Sequence, residues 1–270
     1  MAMRVIDDSK LQGIAVAIQS KDNGGQMTVD EMPGRIQAIP TGASPVFEQI
    51  VNQTAAGVVA SGEVTHLLTH MFCENLHVTG VILNSNPLYI GGPPTARNPE
   101  RMFDSCSNLK FVILPHLMAA QENTFGNYVF LNCTNLKIVI LNTMGKNPWG
   151  SIYYGAYNIS NLVLVGNTIV PLSNTNTFQG SSISSGVCNL YVPDSLKEGY
   201  KVATNWSVYA NQFRGYSEAP IYDTITTYTI GDLCKFNNKL YAWTNEVDGN
   251  SMPIGNIDDF NNDWYCVANI

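Results

Sequence analysis

The chain has 270 residues, 45% of them hydrophobic and 13% charged, and a net charge of −7. That apolar content is enough for one or two sizeable cores, and the acidic balance argues against a nucleic acid or an anionic membrane bound by the whole surface. No stretch reaches the length of a membrane span, and the start, Met1-Ala2-Met3-Arg4-Val5-Ile6-Asp7, lacks the apolar core of a secretory leader, so the expectation is synthesis in a cytoplasm without export by the usual route.

Residues 4–39 read as a small helical unit. Leu11, Ile14, Ala15 and Ile18 fall on one helical face behind a capping Ser9. Asp22-Asn23-Gly24-Gly25 breaks that helix, and Thr28 with Glu31 forms a capping-box pattern ahead of Met32, Ile36 and Ile39. Residues 40–45 are a Pro/Gly linker. Residues 46–70 are apolar and β-branched, suited to a first repeat or a cap, and 84–99, with Gly91-Gly92-Pro93-Pro94, reads as a loop inserted between repeats.

The centre of the chain repeats itself. Met102 to Pro115 returns as Val129 to Leu141, and Phe103/Phe130, Cys106/Cys133 and Leu114/Leu141 all keep the same offset. Weaker copies surround Val78, Leu162 and Leu190 at similar but less regular spacings. An offset inside the range of about 20–50 residues predicts stacked units that bury their apolar faces only against neighbours. Within one unit, Leu109, Phe111 and Ile113 alternate with Lys110 and Val112, the period of a strand with one buried face. Asn108 and Asn135 suit the turn before it. The Phe and Cys positions are apolar plugs, so Cys106 and Cys133 read as buried free thiols. His66 and His70 have the i, i+4 spacing of a helical ligand pair but no third ligand, and no structural metal is expected. The cluster Tyr153-Tyr154-Gly155-Ala156-Tyr157 reads either as a recognition patch or as packing.

Residues 194–213 are expected to close the array as a helix with Leu196, Tyr200, Ala203 and Trp206 buried, and 215–220 to be a polar connector. Beyond it, Tyr228 to Trp243 reads as two alternating strands around an Asn237-Asn238 turn.

The pattern Phe-x-x-Cys-x-Asn-Leu-Lys-x-Val-x-Leu-Pro resembles the BspA-type leucine-rich repeats of bacterial surface proteins and of phages that infect gut bacteria. The tail from Leu190 to Lys201, with Thr204-Asn205-Trp206, is similar to the end of such arrays, and the N-terminal helical pattern resembles a short module of phage tail and fibre proteins. The segment from Tyr228 to Trp243, with Trp264, resembles small chitin-binding carbohydrate modules. The resulting expectation for the fold class is mainly β: a leucine-rich-repeat β-solenoid over 46–216, a helical attachment module over 1–40 and a small β domain over 217–270.

The function implied is that of a virion protein, a phage tail fibre, head fibre or receptor-binding protein. It would bind other virion proteins through its N-terminus and a host glycan or protein at its tip, as a homotrimer of the kind usual in such fibres. No cofactor, nucleic acid or membrane insertion is implied. Sugars stack on flat rings, so Tyr241, Trp243, Trp264 and Tyr265 are the candidate carbohydrate-binding residues; the same rings also suit a core, and a structural tip is the competing role. A bacterial adhesin is the alternative function. An enzyme would need paired carboxylates, for which Asp258, Asp259 and Asp263 are the candidates, in a stretch that reads equally as a solvated turn; no catalysis is expected.

Overall fold

The structure, a computed structural model, describes residues 56–62, 64, 66–67, 69–90, 99–119, 125–145, 150–170, 172–257, 260–261 and 263–270. The expected N-terminal module and linker lie outside these residues.

The repeat places one strand per unit in a seven-stranded parallel sheet: β1 (Gly57–Ser61), β3 (Val78–Leu83), β5 (Phe111–Leu114), β7 (Ile138–Leu141), β8 (Asn161–Leu164), β9 (Asn189–Val192) and β10 (Phe213–Gly215), neighbours in that order. Equivalent residues pair directly: Phe111 with Ile138, Ile138 with Asn161, and Asn161 with Asn189. A shorter parallel sheet joins β2 (His66–Leu67), β4 (Leu88–Ile90) and β6 (Leu117–Ala119). Thus Leu88–Ile90, expected to be part of a loop, is a strand.

Turns stack as regularly as strands. His70 with Glu74, Arg101 with Ser105, and Tyr128 with Asn132 are pairs of positive-φ residues at one spacing. Between them the chain runs its own inter-unit ladder. Phe72 N donates to Met102 O, Phe103 N to Val129 O, and Phe130 N to Ile152 O. Their rings form a column, with Phe72–Phe103 and Phe103–Phe130 centroids 5.2 Å apart and Phe130–Tyr153 4.9 Å apart. Such aromatic contacts contribute ~1 kcal/mol each beyond burial. The thiols of Cys106 and Cys133 sit beside this column and donate to the carbonyls of Phe72 and Phe103. All six cysteines are buried, and none is in a disulfide.

The fold is mixed α/β with few helices, and the expected mainly β, leucine-rich-repeat β-solenoid is corrected by it. The second sheet accompanies the first for only three strands. The rest of the wall is turns, short 3-10 segments and one helix, so the described residues do not form a closed solenoid. The left-handed residues explain this in part: a backbone with φ near +60° at two sites per unit makes turns, not strand. The expected closing helix is likewise broken into a 3-10 turn (Asp194–Leu196), helix α1 (Lys197–Val202) and a 3-10 segment (Ser207–Gln212). It still closes the core: Trp206 Nε1 donates to Val170 O at 2.6 Å, and Tyr200 accepts from Val170 N at 2.9 Å.

The expected one-sided burial of the strands is also corrected. β5 and β7 are buried on both faces, as near-continuous apolar runs in parallel sheets generally are. Leu109, Val112 and Leu114 join the core around the phenylalanine column, whereas Phe111 and Ile113 join a second core on the opposite face. Gly80 accommodates that second core, because a Cβ there would fall 2.2 Å from the Phe111 ring.

Covering the second face is a four-stranded antiparallel sheet in the order β11 (Leu233–Phe236), β12 (Lys239–Trp243), β14 (Trp264–Asn269), β13 (Phe260–Asn261). Asn237 and Asn238 both have positive φ, 48° and 58°, the backbone of a two-residue hairpin turn with right-handed twist. Leu233, Leu240, Ala242, Tyr265 and Val267 pack on Ile113, Ile138, Ile140 and Val163. The expected connector after residue 214 belongs to this joint: Tyr216 is buried and donates its hydroxyl to Leu164 O at 2.6 Å.

Candidate functional site

Alternation along β12 and β14 decides where the four candidate aromatics point. Leu240, Ala242, Tyr265 and Val267 face the large sheet, so Tyr241, Trp243, Trp264 and Cys266 face away from it. A sheet of this size, with one face docked, leaves the other free unless something covers it. Here Tyr222, Tyr228 and residues 245–255 do. Tyr228 and Gly249 form an antiparallel bridge, the Tyr222 hydroxyl donates to Asn250 O, and Trp264 Nε1 donates to Ser251 O at 2.8 Å. Trp243 Nε1 donates to Asn245 O, and the Trp243 and Trp264 rings meet edge-on, 4.9 Å apart.

The structure therefore brings three of the four together and places the fourth on the other side of the sheet. Tyr241, Trp243 and Trp264 form one aromatic cluster, and Tyr265 belongs to the joint with the large sheet. All four are buried, none more than 2% exposed. A sugar stacks on a ring face that water can reach, and none of these four offers one. As placed, they build core. Burial also pushes the Cys234 thiol of the same cluster up to about 12.

The other candidates separate similarly. Asp258 and Asp259 lie outside the described residues. Asp263 accepts from Asn245 Nδ2 and Ser251 Oγ, each at 2.6 Å, which ties down the covering segment. His66 is in a strand and His70 in a turn with φ 58°, so their spacing is not helical. In the tyrosine cluster, Tyr153 is part of the ring column, while Tyr154 and Tyr157 are 42% and 59% exposed.

One surface feature has no counterpart in the sequence pattern. At the edge strand β10, a groove of about 300 Å³ runs between the turn before β9 and the Ser207–Gln212 segment, with Asn189, Tyr209, Asn211, Gln212 and Arg214 in its walls. Arg214 also borders a second hollow beside Lys197 and Lys201. Lys197 pairs with Glu218 and Lys201 with Glu198. The Lys197 ammonium, followed by the Gly215 amide, holds Glu218 below its ordinary carboxylate value. The walls come from two segments well separated along the chain with no shared pattern, so no sequence signal points to them.

No protein family, curated protein or solved structure matches the chain.

Proposed function

We propose that the protein is a structural component of a bacteriophage virion, a tail-fibre, head-fibre or receptor-binding protein, attached through its N-terminal segment and contacting a bacterial surface through glycans. Its partners are then other virion proteins, further copies of itself in a trimer, and the cell surface. The observation that carries this reading is the stack. Six steps between seven parallel strands, at ~4.8 Å each, make a spacer of about 29 Å. Its side chains are spent on holding the units in line: the phenylalanine column inside, and outside a row of amides in which Asn108, Asn135 and Asn158 each donate to a carbonyl of the preceding unit. Arrays on a particle also make weak single contacts sufficient, because several copies bind one surface together. The resemblance of the repeat to those of phage and bacterial surface proteins supports the same reading.

The test combines light scattering of the purified full chain with adsorption of a fluorescent full chain to a panel of bacterial cells. A trimer that adsorbs to some strains and is released by competing surface polysaccharide is the expected result. A monomer that still adsorbs fits a bacterial adhesin instead. Adsorption to no strain, as a monomer, would sink the attachment reading.

A further inference from the structure

We infer that the groove at β10 is a binding site for an acidic saccharide, with Arg214 receiving its carboxylate. This rests on the glycan-contact reading above and names the ligand class and the place. Arg214 Nη1 donates to Asn211 O and Phe213 O, at 2.8 and 3.0 Å, which spends that nitrogen on its own turn and fixes the side chain. Among the described residues, the guanidinium's other nitrogens have no acceptor and no carboxylate lies within ion-pair distance. Glu218 senses its charge only from farther off, as the weakest of the influences on that carboxyl. The neighbouring cations do have carboxylates at hand, Glu218 for Lys197 and Glu198 for Lys201. A planar, permanently charged fork held in place and lacking a paired counter-ion suits a carboxylate, which it can grip through two parallel bonds.

The remainder of the groove suits a sugar ring. Gln212 is in its wall, and Gln212 Oε1 is one of only three buried side-chain N or O atoms without a partner among the described residues. A buried acceptor without a donor is costly, and rotation of the Gln212 side-chain amide towards the groove would let a ligand hydroxyl supply one. The amides of Asn189 and Asn211 add further partners for hydroxyls, while Val208, 63% exposed, gives an apolar C–H face something to rest on. A single unpaired cation among neutral amides matches one carboxylate and several hydroxyls better than a phosphate, which draws several cations or backbone amides. The volume is that of a small-ligand site of the lower size range.

The experiment is ligand-observed NMR titration of the full-length protein with glucuronic acid and N-acetylneuraminic acid, with glucose as the neutral control and trialanine as a carboxylate without a sugar. Expected is binding of at least one acid, with glucose about tenfold weaker or undetectable, and loss of about tenfold or more in Arg214→Gln. Gln212→Leu weakens the same acid without restoring glucose. If Arg214→Gln does not fold, Arg214→Lys keeps the charge but loses the fork and still loses most of the affinity. Binding of neither acid, equal binding of acid and glucose, unchanged affinity in a folded Arg214 variant, or tighter binding of trialanine than of either acid would each overturn the inference. Cell adsorption of the same variants separates this from the attachment reading. Equal adsorption by wild type and Arg214→Gln removes the groove and leaves attachment standing. Acid binding without adsorption to any cell removes attachment and leaves the groove standing.

Discussion

The two faces of the seven-stranded sheet are built on different plans. The inner face repeats: Leu109/Leu136, Val112/Val139 and Leu114/Leu141 recur at one offset and pack on a ring column of the same period. The outer face only half repeats. Phe111, Ile138, Asn161 and Asn189 share one register row, and the row turns from apolar to polar at Asn161. There Asn161, 8% exposed, donates to Gly231 O at 2.7 Å and accepts from Asn189. A face that stacks on copies of itself is dictated by a period. One that meets a unique partner is dictated residue by residue.

The largest expected effect is in the repeating core. Phe130→Ala removes a ring stacked on Phe103 and Tyr153 and meeting Phe125 edge-on. It costs about 3–5 kcal/mol in chemical denaturation, with loss of both sheets together, because each unit is stable only against its neighbours. A loss below about 1 kcal/mol would mean that the column adds nothing beyond an isolated ring contact.

That contrast also explains what could be read in advance. The constant offset, the plugs and the strand positions follow from the inner face, where each unit states the same requirement again. The outer face gave a misleading alternation, because Phe111 and Ile113 read as the buried side and Val112 as the other, when both sides are covered. Nothing local to β5 or β7 says that a sheet encoded far downstream lies on top of it. The burial of the four aromatics was illegible for a related reason: exposed and covered rings need the same residues, and the cover, around Tyr228 and 245–255, has no periodic pattern. Arg214 was illegible because its isolation depends on which carboxylates its neighbours take.

A second prediction addresses the outer face alone. Ile140 packs with Leu240, Ala242 and Tyr265, not with the ring column. Ile140→Ala costs about 2–4 kcal/mol, and hydrogen exchange should speed up in β12 and β14 before it does in β7 and β8. Equal acceleration everywhere would mean that the two sheets open as one unit. Next in size is Asn161→Ala, which strands Gly231 O and removes the partner of Asn189, at about 1–2 kcal/mol. Substituting Gly231 should act at the same joint, because its φ is 100° and a Cβ would fall 2.8 Å from Lys137 Cβ.

The smallest effect at neutral pH, and the one that best separates the two regions, belongs to the thiols. Burial pushes Cys188, at the far end of the stack, and Cys234, in the small sheet, from 9.0 up to about 12. A proton held more tightly when folded means that this contribution is fully present below pH 9. It is lost as pH rises from 9 towards 12, because the unfolded chain ionises first. The urea midpoint should therefore fall over that window, and Cys188→Ala and Cys234→Ala should each flatten the fall. Alkylation with iodoacetamide at pH 8 then reports which region opens first, since only an exposed thiolate reacts. If the outer joint is the weaker plan, Cys234 and Cys266 are modified before Cys106 and Cys133, and Ile140→Ala widens the gap. If the repeating core frays first, the order reverses. In that case the stack depends on the small sheet that covers it, and repetition along the chain is not what makes it rigid.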